Sequence, residues 1–420
     1  MEKIIVKKSM GLRGTIKIDG SKNSILPILA ATLLSEEECI LHDIPNLKDV
    51  EIMCELLEVI GAQVTRIGES SLSIISKNIK NVEAPYELIS KMRASFLVMG
   101  PLLARCGKAK IYMPGGCAIG TRPIDLHLKG FKALGTEVIS EKGYVNSIAK
   151  KLRGADIYLD FPSVGATENI MMAATLTEGE TILENSAEEP EIVDLANFIN
   201  SMGGNIIGAG TKTIRIKGVK KLHKTEHTVI PDRIEAGTYM VAAAITGGDI
   251  IIENVVSSHV QPVIAKLRET GAYVEEYDDK IRVISKGIIK PVDIKTLPYP
   301  GFPTDMQAQF MALLSIADGT SIINETIFEN RFMHANELVR MGVNVRIEGS
   351  SAVLKGKSIL SGAKVKATDL RAGAALILAG LIADGETEIT EVFHIKRGYA
   401  NIVEKLQSVG ANIYFVNTDE

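Results

Sequence analysis

Residues 114–123, PGGCAIGTRP, place one cysteine, Cys117, in a run of small residues, with Arg122 five positions further along. The three glycines of this run bring no side chain, so backbone amides can approach a ligand closely and the segment can move. A guanidinium group binds a planar carboxylate or a phosphate, and its charge lowers the pKa of a neighbouring thiol. The segment therefore indicates a mobile loop that carries reactive sulfur to an anionic substrate. The alternative is a tight turn with an inert cysteine.

Polar and charged residues also stand where several apolar helices are predicted to begin, in DGSKNSILP, PSVGATEN, IPDRIEAG, FPTDMQAQ and ATDLRAGA. Helix capping explains the serine, threonine and aspartate residues of these segments. It does not explain Lys22, Arg233 or Arg371, because a cation at a helix N-terminus opposes the helix dipole. An anion bound between the helix end and the cation would reconcile the two. Several such helix ends together predict an anion-selective cleft.

Two further residues are candidates for the same cleft. Asp305, in FPTDMQAQ, is a carboxylate that either caps its helix or takes a proton from a hydroxyl group. Arg397, in FHIKRGYANI, is predicted near the start of a helix, with an ordinary surface arginine as the alternative.

The elements that must position these residues recur along the chain. An apolar helix that ends in a small-residue turn and a short strand appears six times, with spacings of 68 to 74 residues between the turn glycines. Glycine supplies the left-handed conformation that closes the last turn of such a helix. The turn glycines are Gly61, Gly135, Gly203, Gly271, Gly342 and Gly410.

A second helix, rich in Ala, Leu and Met, precedes most of these turns, and an apolar strand follows it, as in GDIIIENV and GETEITEV. Helices that are apolar on nearly all sides belong in an interior. We therefore predict an α/β fold of two domains, each with three repeats whose helices lie inside and whose sheets lie outside. Six units could instead form a scaffold ring around DNA, but the net charge of −4 provides no basic lining.

Composition restricts the remaining classes. The chain has 420 residues, 46% of them hydrophobic, which is ordinary for a globular protein of more than one domain. The N-terminus lacks an apolar core of signal-peptide length, and the longest apolar stretch, Ala372 to Ala383, is too short to span a bilayer. A cytoplasmic protein with no affinity for nucleic acid or membranes is expected. The cysteine spacing matches no zinc site, and Cys54 and Cys106 are predicted to be small buried hydrophobic residues.

Seven ordered motifs covering nearly the whole chain resemble the UDP-N-acetylglucosamine 1-carboxyvinyltransferase family, the enolpyruvyl transferases of peptidoglycan synthesis. The motifs are SKN at 21–23, MRASFLVMGPLLAR at 92–105, PGGCAIGTRPIDLHLKG at 114–130, PSVGATEN at 162–169, EEPEIVD at 188–194, YPGFPTDMQAQ at 299–309 and HIKRGY at 394–399. The resemblance implies a two-domain inside-out α/β barrel with three repeats in each domain. Residues 1–21 and 230–420 would form one domain and residues 22–229 the other, with the active site in the cleft between them.

The resemblance also implies the reaction. Phosphoenolpyruvate would give its enolpyruvyl group to the 3-hydroxyl of UDP-N-acetylglucosamine, with release of phosphate and without metal or organic cofactor. Cys117 would act as proton donor and form a covalent adduct, and Asp305 would act as base. The phosphoenolpyruvate-binding residues would be Lys22, Asn23, Arg122 and Arg397.

The nucleotide sugar would contact a second set of residues, and Asp369 and Arg371 would line the closed site. The nucleotide-sugar set is Arg93, Arg122, Pro123, Ile124, Asp125, Leu126, Ser163, Val164, Gly165, Asp305 and Ile327. One departure from the family is visible: some members carry a lysine shortly before the Ser-Val-Gly segment, where this chain has Phe161. A monomer or a weak homo-oligomer is expected.

Two alternatives remain. The sister enolpyruvyl transferase that acts on shikimate 3-phosphate shares the fold but lacks the cysteine loop. A catalytically silent relative that binds the UDP-sugar and regulates would not need Lys22, Cys117, Asp305 and Arg397 together. Both alternatives are therefore disfavoured.

Overall fold

The computed structural model describes residues 2–113, 119–120, 124–141 and 143–417, with the side chain of residue 141 excepted. It divides into two compact units. Unit 1 comprises Met1–Asp19, Ala118–Thr121 and Pro231–Glu420, and unit 2 comprises Gly20–Cys117 and Arg122–Ile230. The chain therefore begins in unit 1, builds unit 2 and returns.

The described residues form alternating strands and helices. The strands are β1 Glu2–Lys7, β2 Arg13–Lys17, β3 Glu38–His42, β4 Gln63–Arg66, β5 Leu72–Ile75, β6 Glu83–Ala84, β7 Lys108–Tyr112, β8 Glu137–Glu141, β9 Tyr144–Ile148, β10 Asp156–Tyr158, β11 Glu180–Glu184, β12 Ile206–Ile207, β13 Thr213–Lys217, β14 Thr225–Thr228, β15 Asp249–Glu253, β16 Tyr273–Glu276, β17 Lys280–Ile284, β18 Ile294–Lys295, β19 Thr320–Asn324, β20 Asn344–Glu348, β21 Ser351–Lys355, β22 Lys364–Lys366, β23 Glu386–Thr390 and β24 Asn412–Asn417. The α-helices are α1 Lys22–Ala31, α2 Lys48–Ile60, α3 Tyr86–Ile89, α4 Met99–Cys106, α5 Asp125–Ala133, α6 Val164–Ala174, α7 Pro190–Ser201, α8 Arg233–Thr246, α9 Gln261–Glu269, α10 Gln307–Leu314, α11 Met333–Arg340, α12 Leu370–Gly380, α13 Phe393–Lys396 and α14 Ile402–Ser408. Short 3₁₀ helices span Thr32–Leu34, Arg93–Val98, Ser257–His259 and Thr304–Met306.

One sheet pattern is used six times in the described part of the chain. Each sheet has four strands; an outer strand pairs in parallel with its neighbour, and the two remaining pairings are antiparallel. The orders in unit 1 are β22-β23-β1-β24, β16-β17-β15-β2 and β18-β19-β21-β20, and those in unit 2 are β10-β11-β13-β12, β14-β3-β5-β4 and β6-β7-β9-β8. The six predicted repeats are thus six copies of one sheet-and-helix unit.

Strands from distant parts of the chain complete three of these sheets. In unit 1, β1 lies between β23 and β24, with Ile4 opposite Ile389 on one side and Phe415 on the other. β2 pairs in parallel with β15, so that Thr15 lies opposite Ile251. In unit 2, β14 pairs in parallel with β3. The short N-terminal segment therefore belongs to unit 1, and the last strand before the return completes unit 2.

The six turn glycines behave as predicted. Each has a positive φ, between 94° and 122°, in the region that a side chain disfavours. At Gly61 a Cβ atom would also lie 2.5 Å from the carbonyl oxygen of Asn78, so this turn needs glycine for space as well. These turns let each helix reverse directly into the following strand.

Three nearly all-buried helices form the interior of unit 1. Every residue of α10 is buried, as is every residue of α8 except Arg233 and of α12 except Leu370. The three helices pack on one another, and the amphipathic α9 and α11 each bury one face. In unit 2, α1 is buried except for Asn23 and α6 except for its first two residues, and both α1 and α4 pack on α6. Helices lie inside and sheets outside, as predicted.

Candidate functional site

In unit 1, two buried arginines hold the carboxylate of Asp305. Arg331 Nη2 donates to Asp305 Oδ1 at 3.0 Å, while Arg371 donates to Asp305 Oδ2 from Nε at 3.2 Å and from Nη2 at 3.0 Å. The arginine side chains are 4% and 2% exposed, whereas that of Asp305 is 25% exposed. The carboxylate thus faces outward while its partners lie beneath it.

Local structure explains how these groups meet. Asp305 lies in the 3₁₀ turn that precedes α10, and Arg371 is the second residue of α12. Asp369 caps α12, because its Oδ1 accepts hydrogen bonds from the backbone N–H groups of Arg371 and Ala372. Since α10 and α12 pack side by side, their N-terminal ends bring the carboxylate and the guanidinium together. Arg331 is a site residue that the sequence interpretation missed.

The surroundings keep the Arg371 cation charged. Burial works against its charge, but the neighbouring Tyr399 and Asp305 raise its pKa above the ordinary value. Its guanidinium carbon lies 5.4 Å from the centre of the Tyr399 ring. The Nη1 atoms of Arg371 and Arg331 are buried, and neither has a hydrogen-bond partner among the described residues. Both arginines direct their other donors, Nη2 of Arg331 and Nε and Nη2 of Arg371, at Asp305.

His334 stands beside this cluster in a neutral state. Burial is the main reason that its pKa falls to about 4, although the charge of Asp369 acts in the opposite direction. His334 therefore adds no positive charge near Arg331 at neutral pH.

In unit 2, Lys22 is the first residue of α1, as the sequence predicts, and its ammonium group is paired. Lys22 Nζ lies 2.9 Å from Asp49 Oδ2, and the Asp49 side chain is only 1% exposed. Ser21 caps the helix by accepting a hydrogen bond from the backbone N–H of Ser24. Asp49 thereby stabilises a cation that the dipole of α1 disfavours. Asn23, the next residue, is half-buried.

A second polar group of unit 2 surrounds the start of α6. Ser163 caps this helix, and a Cβ atom on Gly165 would lie 3.3 Å from His127 Cε1. His127 Nδ1 lies 3.1 Å from Asn169 Nδ2, which can only donate, so the ring accepts at Nδ1 and carries its proton at Nε2. Burial, reinforced by the charge of Arg93, lowers the pKa of His127 to about 3. His127 was not among the predicted site residues.

Arg397 differs from its prediction. It follows α13 directly, at the C-terminal end of a helix rather than at the start of one, and α14 begins five residues later. A cation at a helix C-terminus agrees with the dipole, so this arginine needs no anion to explain its position. Arg233 is the first residue of α8, as predicted, and its guanidinium carbon lies 5.6 Å from the Tyr299 ring centre.

The remaining predicted residues fall into two groups. Asp125 and Leu126 begin α5 after Ile124, Val164 begins α6, and the backbone N–H of Ile327 donates to Glu325 Oε1 at 2.9 Å. Phe161 is exposed. Cys117, Arg122 and Pro123 lie outside the described residues.

The other cysteines are poor nucleophiles. Cys39 is buried, while Cys54 and Cys106 are half-buried rather than fully buried as predicted. Burial raises the pKa of Cys39 to about 12 and that of Cys54 to about 11, and it also raises that of Cys106. A reactive thiolate is not expected at these three positions.

The described residues contain neither a candidate metal site nor a candidate membrane span. No group of three or more His, Cys, Asp or Glu side chains there could hold a metal ion. No helix in the same residues is long and apolar enough to cross a membrane.

Comparison with known proteins identifies close relatives. The sequence profile of the family described as EPSP synthase (3-phosphoshikimate 1-carboxyvinyltransferase) matches residues 6–406. A protein of Caldanaerobacter subterraneus named UDP-N-acetylglucosamine 1-carboxyvinyltransferase 1 is 64% identical over 98% of this chain and 99% of its own length. A UDP-N-acetylglucosamine 1-carboxyvinyltransferase of Finegoldia magna is 59% identical over the full length of both chains.

Solved structures share the fold at low sequence identity. The enolpyruvyl transferase NikO of Streptomyces tendae superposes with a TM-score of 0.89 at 23% identity, covering 100% of this chain and 99% of its own. The EPSP synthase of Acinetobacter baumannii superposes with a TM-score of 0.77 at 19% identity, covering 99% of this chain and 100% of its own. These structures confirm the predicted fold class.

Proposed function

The chain belongs to the UDP-N-acetylglucosamine 1-carboxyvinyltransferases of the EPSP synthase family, and from this premise we propose its reaction. It transfers the 1-carboxyvinyl (enolpyruvyl) group of phosphoenolpyruvate to the 3-hydroxyl of UDP-N-acetylglucosamine and releases phosphate. The observation that carries this proposal is the 58–64% identity, over nearly the whole chain, to relatives that bear this name. The reaction is the first committed step of peptidoglycan synthesis.

Asp305 is proposed as the base. Its carboxylate is one-quarter exposed and is fixed by hydrogen bonds from Arg331 and Arg371, so a sugar hydroxyl can approach it in a defined orientation. Asp369 acts indirectly in this proposal, because it caps the helix that presents Arg371.

Phosphoenolpyruvate brings a phosphate and a carboxylate, and the proposed site offers cations for both. Lys22, Asn23, Arg122 and Arg397 are its proposed ligands. Arg331 and Arg371 add positive charge beside Asp305. The Lys22 ammonium would bind the phosphate while it remains paired with Asp49, which already holds it in place.

Cys117 is proposed as the proton donor. A thiol with a pKa near 8 is mostly protonated at pH 7 and yet gives up its proton at modest cost. Within unit 1, the carbonyl oxygen of Ile119 accepts a hydrogen bond from the backbone N–H of Asn330 at 3.1 Å. Asn330 directly precedes Arg331, so Ile119, two residues after Cys117 in the chain, is joined to the segment that carries Arg331.

The nucleotide sugar is proposed to bind Arg93, Ile327, residues 122–126 and residues 163–165. The N-terminus of α6, with its partial positive charge, favours a diphosphate. Phe161 stands where some members of the family carry a lysine, so we assign the positive charge for the diphosphate to Arg93 and Arg122. Glycine at position 165 lets the start of α6 lie close to the neutral His127 ring, because a Cβ atom there would come within 3.3 Å of it.

These assignments give an addition–elimination reaction. Cys117 Sγ–H gives its proton to the methylene carbon of phosphoenolpyruvate, while Asp305 takes the proton of the 3-hydroxyl and the sugar oxygen bonds to the adjacent carbon. The tetrahedral intermediate then loses a proton from the new methyl group and expels phosphate, which restores the vinyl group. Cations around the phosphate stabilise the charge that develops in both steps.

Two parts of the proposal concern the whole molecule. The active site would lie between a domain of residues 1–21 and 230–420 and a domain of residues 22–229. The protein would act in the cytoplasm as a monomer or a weak homo-oligomer, with small molecules as its partners and with no cofactor.

Phosphate release tests the proposal. Purified protein is mixed with phosphoenolpyruvate and either UDP-N-acetylglucosamine or shikimate 3-phosphate, and free phosphate is measured. Release that depends on the UDP-sugar is expected. Release with shikimate 3-phosphate alone would reverse the assignment, and release with neither would refute the transferase.

A further inference from the structure

A buried carboxylate in unit 2 joins three elements without the help of a lysine or arginine. Asp194, on α7, is 3% exposed. Its Oδ2 accepts hydrogen bonds from Ser24 Oγ on α1 and from the backbone N–H of Ile230 at 3.3 Å, and its Oδ1 lies 2.9 Å from His227 Nε2 on β14. No lysine or arginine of the described chain forms an ion pair with it. Hydrogen bonds and one imidazole therefore hold this charge.

The arrangement does not support a hydrolase. In a Ser–His–Asp triad the histidine lies between the serine and the carboxylate, so that it can take the serine proton. Here the carboxylate lies between Ser24 and His227, and Ser24 is fully buried. The three groups can hold a geometry, but they cannot activate a nucleophile.

Asp194 and its hydrogen-bond partners hold the first turn of α1 in place. Ser21 N–H donates to the carbonyl oxygen of Ile230 at 2.7 Å, and Ser24 is joined to the N–H of the same residue through Asp194. Ser21, Ile230, Asp194 and Ser24 thus form a closed ring of hydrogen bonds. Lys22 and Asn23 are the two residues between Ser21 and Ser24, so the ring brackets them on both sides.

We propose that Asp194 is a positioning residue for phosphoenolpyruvate: it fixes the first turn of α1, and so the Lys22 ammonium and the Asn23 amide, through Ser24 and Ile230. The inference rests on the proposed function, in which these two residues are ligands of phosphoenolpyruvate. A buried carboxylate is costly to desolvate, and such a group can be retained because its hydrogen bonds specify one geometry. Small displacements of a substrate-holding group have large kinetic effects.

Steady-state kinetics of four variants test the proposal. Asp194→Asn keeps the side-chain size but removes the charge, and Ser24→Ala removes the hydroxyl that joins α1 to the ring. His227→Gln keeps an N–H donor near Oδ1 and serves as the conservative variant. The matched control is Ser201→Ala, which removes a 2.7 Å hydrogen bond to Thr225, another contact between α7 and β14.

Asp194→Asn is expected to raise KM for phosphoenolpyruvate about tenfold, the loss of one charge-assisted hydrogen bond. KM for UDP-N-acetylglucosamine should stay within about twofold, since those ligands lie elsewhere in the proposal. Ser24→Ala should have a similar effect, and a fifth variant that combines Asp194→Asn with Ser24→Ala should raise this KM little beyond either single change. His227→Gln and Ser201→Ala should retain the wild-type KM for phosphoenolpyruvate.

A merely structural role gives a different result. Lower melting temperatures with both KM values unchanged, or with both raised equally, would overturn the inference. If Asp194→Asn does not fold, an unchanged KM for phosphoenolpyruvate in Ser24→Ala overturns it as well. If the wild-type protein releases no phosphate, the proposed function is refuted and this inference with it. If the wild type turns over normally but Asp194→Asn and Ser24→Ala leave the KM for phosphoenolpyruvate unchanged, only this inference is refuted.

Discussion

Replacing Asp305 tests the acid–base assignment in unit 1. Asp305→Ala removes the acceptor of three arginine hydrogen bonds, at 3.0, 3.2 and 3.0 Å. Loss of a general base lowers kcat by about 10²–10⁴-fold. The phosphoenolpyruvate KM should change much less, because the arginine donors remain.

Asp305→Ala should also lower the free energy of unfolding, by an amount that follows from the burial of the three side chains. Arg331 and Arg371 are almost fully buried, so removal of their shared counter-charge leaves two cations unpaired. Breaking a fully buried pair costs about 3–5 kcal/mol. The Asp305 side chain is 25% exposed, and solvent reduces the loss, so we expect about 2 kcal/mol in the free energy of unfolding.

The assay combines phosphate release with denaturant unfolding of wild type, Asp305→Ala and Asp305→Asn. Asp305→Asn retains an acceptor oxygen, so it should recover part of the stability but none of the turnover. A normal kcat with a raised KM in both variants would show that Asp305 binds substrate and is not a base. Unchanged stability in Asp305→Ala would contradict the role given to the arginine pair.

Three other predictions concern single residues. Cys117→Ser should nearly abolish turnover, because a hydroxyl gives up a proton far less readily than a thiol; an epoxide phosphonate should add its mass to Cys117, and peptide mapping that finds it on Cys54 would contradict the loop assignment. Lys22→Gln should raise KM for phosphoenolpyruvate at least about tenfold. It should also lower the free energy of unfolding by about 3 kcal/mol, since Asp49 stays buried without this cation. The same KM for phosphoenolpyruvate in the variant and the wild type would refute the role of Lys22 in binding the phosphate. The neutral His127 ring stabilises the fold fully above pH 6.5, and this contribution falls by about 1.4 kcal/mol per pH unit as the pH drops towards 3. The difference in unfolding free energy between wild type and His127→Gln should therefore shrink by about 3 kcal/mol between pH 7 and 4.5, whereas a constant difference would contradict the burial of a neutral ring.

Local signals account for most of the fold that the sequence predicts. A helix that must reverse into a strand needs a residue with positive φ, so Gly61 and its five equivalents mark the repeats in the sequence. Capping residues before apolar stretches are also a local signal, and they predict helix starts at Lys22, Arg233 and Arg371, where the structure has them. Strand order is not local, and no pattern in β1, β2 or β14 shows that these strands complete sheets formed by distant segments.

The missed site residues lack local signals as well. Arg331, just before α11, and Asp49, in the first turn of α2, look like ordinary polar residues of helix N-termini, and only tertiary packing buries them against Asp305 and Lys22. Arg397 was misplaced because a four-residue helix precedes it, too short to leave a periodic pattern. What distinguishes Arg331 and Asp49 is the burial of their charges, which residue type alone does not reveal.

The most direct test of the reaction is the nuclear magnetic resonance spectrum of the product formed in D₂O from phosphoenolpyruvate and UDP-N-acetylglucosamine. In the proposed mechanism the methylene carbon receives a solvent-exchanged proton and later loses one of three methyl hydrogens. A vinyl ether on the 3-oxygen of the sugar, with deuterium in its methylene group, is therefore predicted. A vinyl ether without deuterium would contradict protonation of that carbon, and the absence of any sugar ether would contradict the transfer itself.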